Sequence, residues 1–150
     1  MRKFKLVDNP VNTDKALENL CNYIVKPKKE SGSIYVNSRG ISTQNPSDEI
    51  LAVQRCYKKS LERKAYHFVL GTDEYSVIAP CEAIDLAYEV SNLFYPQFQV
   101  IYGVHSKGNL HIHFAINSVS YIDGEELILE GSSLKAIREK AYAIMDQYLY

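Results

Sequence analysis

Hydrophobic positions recur along this chain at two spacings, and the switches between them mark its elements. Ala16, Leu17, Leu20, Cys21 and Ile24 fall three and four residues apart, the stripe of an amphipathic helix. Asn12 or Thr13 can cap its start, and Pro27 is a natural stop. A second helical pattern runs from Glu49 to about Leu61 behind Ser47 as cap. A third runs from Pro80 to about Phe94, ended by Pro96, and a fourth from Gly131 and Ser132 to about Tyr148. Between them lie β-type runs at Phe4–Val7, Ser33–Val36, Ala65–Leu70, Gln99–His105 and Leu110–Val119. In the run from Ala65, the side chains of Tyr66, Phe68 and Leu70 share one face, and those of Ala65, His67 and Val69 the other. Residues 26–32 read as a charged loop and 37–46 as irregular. Asp123 and Gly124 signal a hairpin turn between Tyr121-Ile122 and Leu127–Leu129. Strands that follow one another through tight turns, with helices inserted, predict an α+β fold around a largely antiparallel sheet.

Composition narrows the class. At 150 residues, 46% of them hydrophobic and 23% charged, the chain suits one domain with a real core, spanning residues 1–150. No apolar run reaches the ~18 residues of a membrane span, and Met1 to Lys5 lacks a secretory signal's apolar stretch. No membrane insertion is expected. Three cysteines without metal-ligand spacing read as reduced thiols, so a cytoplasmic location is expected. The net charge of −1 hides an asymmetry: residues 1–64 hold 13 Lys and Arg against 7 Asp and Glu, while residues 65–150 hold 4 against 11. A nearly neutral total therefore leaves room for a polyanionic partner, because phosphates respond to local charge.

The chemistry concentrates in three of the four histidines. His111 and His113 sit two apart in a strand, so both imidazoles project from one face. His105 ends the preceding strand, and a turn through Ser106, Lys107, Gly108 and Asn109 folds it back beside the pair. Three nitrogens can then meet one divalent ion and leave positions open for substrate oxygen. Asn117 lies on the same face of that strand. His67 is a further member, either as an acid/base or phosphate contact or as support for the other histidines.

The segment from His105 to Asn117 resembles the three-histidine motif of plasmid mobilisation relaxases, a branch of the HUH endonuclease superfamily. Ala65 to Gly71 is similar to that family's "YHFVLSF" strand, and Asn22 to Lys29 resembles its N-terminal tyrosine segment. The likeness covers about residues 10 to 130. It implies a ferredoxin-like central antiparallel sheet with flanking helices. It also implies metal-dependent (Mg²⁺ or Mn²⁺) nicking and joining of single-stranded DNA at a plasmid or mobile-element transfer origin, with accessory relaxosome proteins as partners. A tyrosine attacks a phosphodiester and forms a 5′-phosphotyrosyl intermediate. Of 12 tyrosines, Tyr23 matches the nucleophile segment, with Tyr35 in reserve. Lys26, Lys28 and Lys29 follow Tyr23, and Lys58, Lys59, Arg63 and Lys64 follow the second helical stretch. Both clusters are expected to hold DNA phosphates.

Two rivals stand beside this reading. A replication-initiator or transposase nuclease of the same superfamily would use Tyr142 or Tyr148 on the last helix. A DNA- or partner-binding module could have kept the fold without activity; Lys107, where relatives often carry an acid, is the residue that suggests it. The chain is expected to be either a minimal stand-alone domain or the N-terminal part of a longer protein.

Overall fold

In the computed structural model, which describes residues 3–25, 33–59, 61–72, 78–105 and 109–148, the chain alternates strands and helices. The order is β1 (Lys3–Leu6), α1 (Asp14–Val25), β2 (Ser33–Arg39), α2 (Pro46–Cys56), β3 (Ala65–Gly71), α3 (Pro80–Ser91), β4 (Val100–His105), β5 (His111–Asn117) and α4 (Ser132–Met145). The five strands form one sheet in the order β1-β3-β5-β4-β2, and every neighbouring pair is antiparallel. This is the expected α+β class, consistent with a ferredoxin-like sheet flanked by helices.

The period-two pattern of the strands decides which helix goes where. Phe4, Tyr66, Phe68, Leu70, Val100, Tyr102, Val104, Ile112, Phe114 and Ile116 face one way and pack with Ala83, Leu86, Val90, Ala141 and Met145 of α3 and α4. Phe4 stacks on Phe68 with ring centroids 4.7 Å apart. The opposite face carries smaller apolar residues, Ala65, Ile101 and Ala115, against Leu17, Leu20, Cys21 and Ile24 of α1 and Ile50 of α2. Thr13 caps α1, its Oγ1 accepting from the Ala16 amide at 3.0 Å.

Several sequence expectations shift by a physical cause. β2 continues to Arg39, because β4 offers a ladder to Asn37, Ser38 and Arg39, and an edge strand tolerates polar residues. Asn45, not Ser47, precedes α2, with Pro46 in its first turn. The helix stops at Cys56, five residues early: Lys58 turns to φ +56°, and the Lys59 amide reaches back to the Gln54 carbonyl at 2.8 Å. α3 ends at Ser91 and tightens into turns, with the Leu93 and Phe94 amides bonding three residues back. The Asp123-Gly124 turn is present, but the strands expected beside it are reduced to a single bridge, Val119 to Glu126. There the backbone bonds to a side chain instead: the Leu127 carbonyl accepts from the Tyr66 hydroxyl, which accepts from the Leu129 amide. Gly124 (φ +77°) sits under the Tyr57 ring, where a Cβ would come within 2.4 Å of Cδ1. Among the described residues, no helix is long and apolar enough to cross a membrane.

Candidate active site

Cross-strand register aligns the histidines before any side chain is considered. His105 lies directly opposite His111, Gly103 opposite His113, and Val69 opposite His113 from the other side. Residues paired this way share a face, so His67, His105, His111 and His113 all project toward the α1 side. The His105 and His113 rings are 4.8 Å apart, and the His67 and His113 rings 5.3 Å. His67 Nε2 lies 3.0 Å from His113 Nδ1. One of these nitrogens must donate and the other accept. When His113 donates from Nδ1, its Nε2 lone pair is free to face the cleft.

Tyr23 enters from the last turn of α1. Its hydroxyl is 3.5 Å from His113 Nε2, and its ring stands edge-on to His105 and His113, with centroids at 5.4 and 4.9 Å. The neighbouring Ile24 is fully buried, whereas Tyr23 keeps 44% of its surface exposed. The helix can come this close because β4 carries Gly103 beneath it. A Cβ at Gly103 would lie 2.8 Å from the Ile24 carbonyl oxygen. Gly103 carries no chemistry of its own, and its only sign in the sequence is an isolated glycine inside a strand pattern, which marks a close backbone approach.

The electrostatics favour neutral imidazoles. Burial lowers the His113 pKa to about 3, helped by the nearby His67, His105 and His111. Burial alone lowers His67 to about 4. His105 is lowered by burial and then by His111. His105 is nearly enclosed, and its Nε2 has no hydrogen-bond partner. Uncharged imidazoles with a buried, unpartnered ring nitrogen suit a divalent ion that takes nitrogen ligands. Among the described residues, no group of three or more His, Cys, Asp or Glu side chains is placed so that it could hold a metal ion as the side chains stand.

The remaining sequence candidates lie elsewhere. Asn117 shares the histidine face but sits four residues along β5, fully buried. Its Nδ2 donates to Gln99 Oε1 at 2.8 Å, and its Oδ1 accepts from Gln54 Nε2 at 3.0 Å and from the Val119 amide at 2.9 Å. Its amide is thus committed to the fold. Arg63 and Lys64 precede β3 at the end away from Gly71 and His111, about 20 Å along the strand. The Arg63 guanidinium lies over the Tyr66 ring, and Lys64 Nζ is 3.4 Å from Asp14 Oδ1. Lys58 and Lys59 follow α2. Arg63 and Lys64 stand at the Asn117 end of β3, opposite the end that pairs with His111. Lys26, Lys28, Lys29 and Lys107 lie outside the described residues. Tyr35 packs on the far face against the large core, and so do Tyr142 and Tyr148; the Tyr148 hydroxyl bonds Glu89 at 2.8 Å.

A family model described as relaxase, MobA/VirD2-like, nuclease domain, matches residues 23–149. The chain belongs to the relaxase family. The matched span opens at Tyr23 and contains all four histidines. No curated protein matches the chain. Membership makes this relaxase-family chain a DNA-nicking nuclease that engages single-stranded DNA.

Proposed function

We propose that the chain nicks and rejoins one DNA strand at the transfer origin of a plasmid or mobile element, with Tyr23 as nucleophile. The observation that carries this reading is the Tyr23 hydroxyl, on a half-exposed residue and 3.5 Å from His113 Nε2, beside the buried His105 and the half-buried His67 and His113. Tyr23 Oη attacks the phosphorus of the scissile diester. The bond from phosphorus to the 3′ oxygen breaks, and a 5′-phosphotyrosyl link forms. The phenolic proton leaves to the solvent that reaches the exposed ring, and the departing 3′ oxygen takes up a proton. The link keeps the diester's energy, so a returning 3′-OH can reverse the step.

His105, His111 and His113 would hold a divalent ion, Mg²⁺ or Mn²⁺. When bound, that ion supplies charge stabilisation for the phosphate oxygens. His67 is a positioning residue in this reading. Its contact with His113 Nδ1 fixes the orientation and tautomer of that ring, and no free acid/base role is assigned to it. The initiator-type alternative is disfavoured by the placement of Tyr142 and Tyr148 against the core on the opposite side of the sheet.

The test is Tyr23→Phe. It removes one oxygen from a half-exposed ring, so the melting temperature should hold within about 1 °C. Nicking of an origin-derived oligonucleotide with Mn²⁺ should disappear, and so should the covalent adduct on a denaturing gel. Binding of DNA should persist. A Tyr23→Phe protein that still forms the adduct would refute the assignment. An adduct mapped to Tyr142 or Tyr148 would restore the initiator-type reading. A wild type that forms none on its own origin would point to a binding module.

A further inference from the structure

The helical cover on the histidine side of the sheet is uneven. α1 packs on β4 and β5, whereas the α4 contact of edge strand β1 is made on the opposite, large-core face. On the histidine face, Ala65 at one end of β3 is buried with α1 and α2, whereas Lys3 and Lys5 of β1 are exposed. The register shows what lies there. Lys3 pairs with Gly71, which pairs with His111, which pairs with His105. Lys5 pairs with Val69, which pairs with His113. Two rows thus run straight across the sheet, each from a lysine to a histidine of the candidate site.

The side chains agree with the register. Phe4 is buried in the large core on the other face, so Lys3 and Lys5 point to the histidine side, and both are exposed. Each lysine Cα stands two strand spacings, about 10 Å, from its histidine. The floor between them is low: Gly71 has no side chain, and Val69 is small. A shallow cleft of about 380 Å³ runs along Lys3, Lys5, Val7, Asp8, Asn9 and Val69. Asp8 is its one acid, and neither lysine forms an ion pair with a described residue.

We infer that Lys3 and Lys5 form a phosphate-binding ledge that holds the DNA strand where it leaves the histidine cluster. The inference rests on the nicking reading above and deepens it. Continuity with the histidines and two positive charges without described partners select a polyanion. The flat, one-sided trough fits a single strand, whose backbone can cross the sheet edge. Exposed lysines at this position cost the fold little to replace, so their charge can be tested without unfolding the protein.

The experiment measures the affinity of the full chain for a mixed-sequence single-stranded oligonucleotide over a range of salt concentrations. It compares wild type, Lys3→Gln with Lys5→Gln, the matching Arg pair, and Lys135→Gln with Lys140→Gln on α4. A single strand contributes a slope of about 0.7 per neutralised phosphate. The Lys3/Lys5 glutamine pair should therefore flatten log K against log salt by about 1.4. The arginine pair should restore the wild-type slope, and the α4 pair should leave it unchanged. Equal slopes for the two glutamine pairs, with wild type binding normally, would overturn the ledge alone. A wild type that binds no single-stranded DNA would instead overturn the reading beneath it.

Discussion

Two polar clusters occupy the same face of β5, one at each end, and they are built on opposite principles. At the Asn117 end every polar atom of the Asn117 amide is engaged, and Gln99 passes the network on to the Gly40 carbonyl at 3.0 Å. At the other end the imidazoles are crowded, pressed neutral and incompletely satisfied, with His105 Nε2 unpartnered and His113 Nε2 facing only a tyrosine hydroxyl at 3.5 Å. A buried polar group costs free energy unless it is paired. The Asn117 amide recovers that cost within the fold, although Gln54 Oε1 and the Ser118 hydroxyl beside it are buried without a partner. A cluster that leaves lone pairs open keeps them available for something that arrives. The sequence motif runs through both ends without a break, so spacing alone grouped Asn117 with the histidines.

The strongest way to break this contrast is to empty the histidine end. His105→Ala with His113→Ala should reduce nicking by at least about 10³-fold, because charge stabilisation and orientation are lost together. It should also abolish Mn²⁺ binding measured by calorimetry, while circular dichroism stays native. Unchanged metal affinity in the double variant would mean that these imidazoles are ordinary packing.

The opposite end should respond through stability. Asn117→Ala strands the Val119 N–H and Gln99 Oε1 in a closed interior, while Gln54 Nε2 loses one of two acceptors and keeps the Lys64 carbonyl at 2.8 Å. The expected cost is about 2–3 kcal/mol, or roughly 5–10 °C in melting temperature for a chain of this size. Below that melting point the specific nicking rate should hold. A rate that falls while the melting temperature stays fixed would move Asn117 into the site.

The smallest effect sharpens the electrostatic side of the comparison. His67 and His113 are depressed to about 4 and about 3, while in the unfolded chain they titrate near 6.5. Between those values the unfolded state binds protons that the folded state refuses. Stability of the metal-free protein is therefore full above about pH 6.5 and falls as pH drops toward 4. The loss at pH 4 should be on the order of 2 kcal/mol once screening at these partly exposed rings is allowed for. Urea titrations between pH 7 and 4 should show it. His67→Ala should flatten the profile and Asn117→Ala should not; equal profiles in both variants would disconnect the acid sensitivity from the histidines.

The sequence by itself determined the alternation of strands and helices, the α+β class, and the histidine-bearing face of β5. Those properties depend on periods of two and 3.6 residues, which are local and repeat often enough to be read from spacing. The His105 turn was legible for the same reason, since a short connection leaves two strands little choice but to pair. Tertiary structure alone decided the rest. The length of β2 depended on a partner strand, not on its own polar residues. Around Asp123 and Gly124 the strand pair is cut to one bridge, and a tyrosine about 60 residues away in sequence takes up the Leu127 carbonyl and the Leu129 amide. Tyr23 was singled out by resemblance. Its approach to the histidines required a glycine on β4 low enough to let α1 settle, a contact between segments about 80 residues apart. The separation of Arg63 and Lys64 from His111 along β3, and the hydrogen bonds that engage the Asn117 amide, are likewise tertiary facts, because a linear motif carries residue type and order but neither distance nor the hydrogen bonds that consume a side chain.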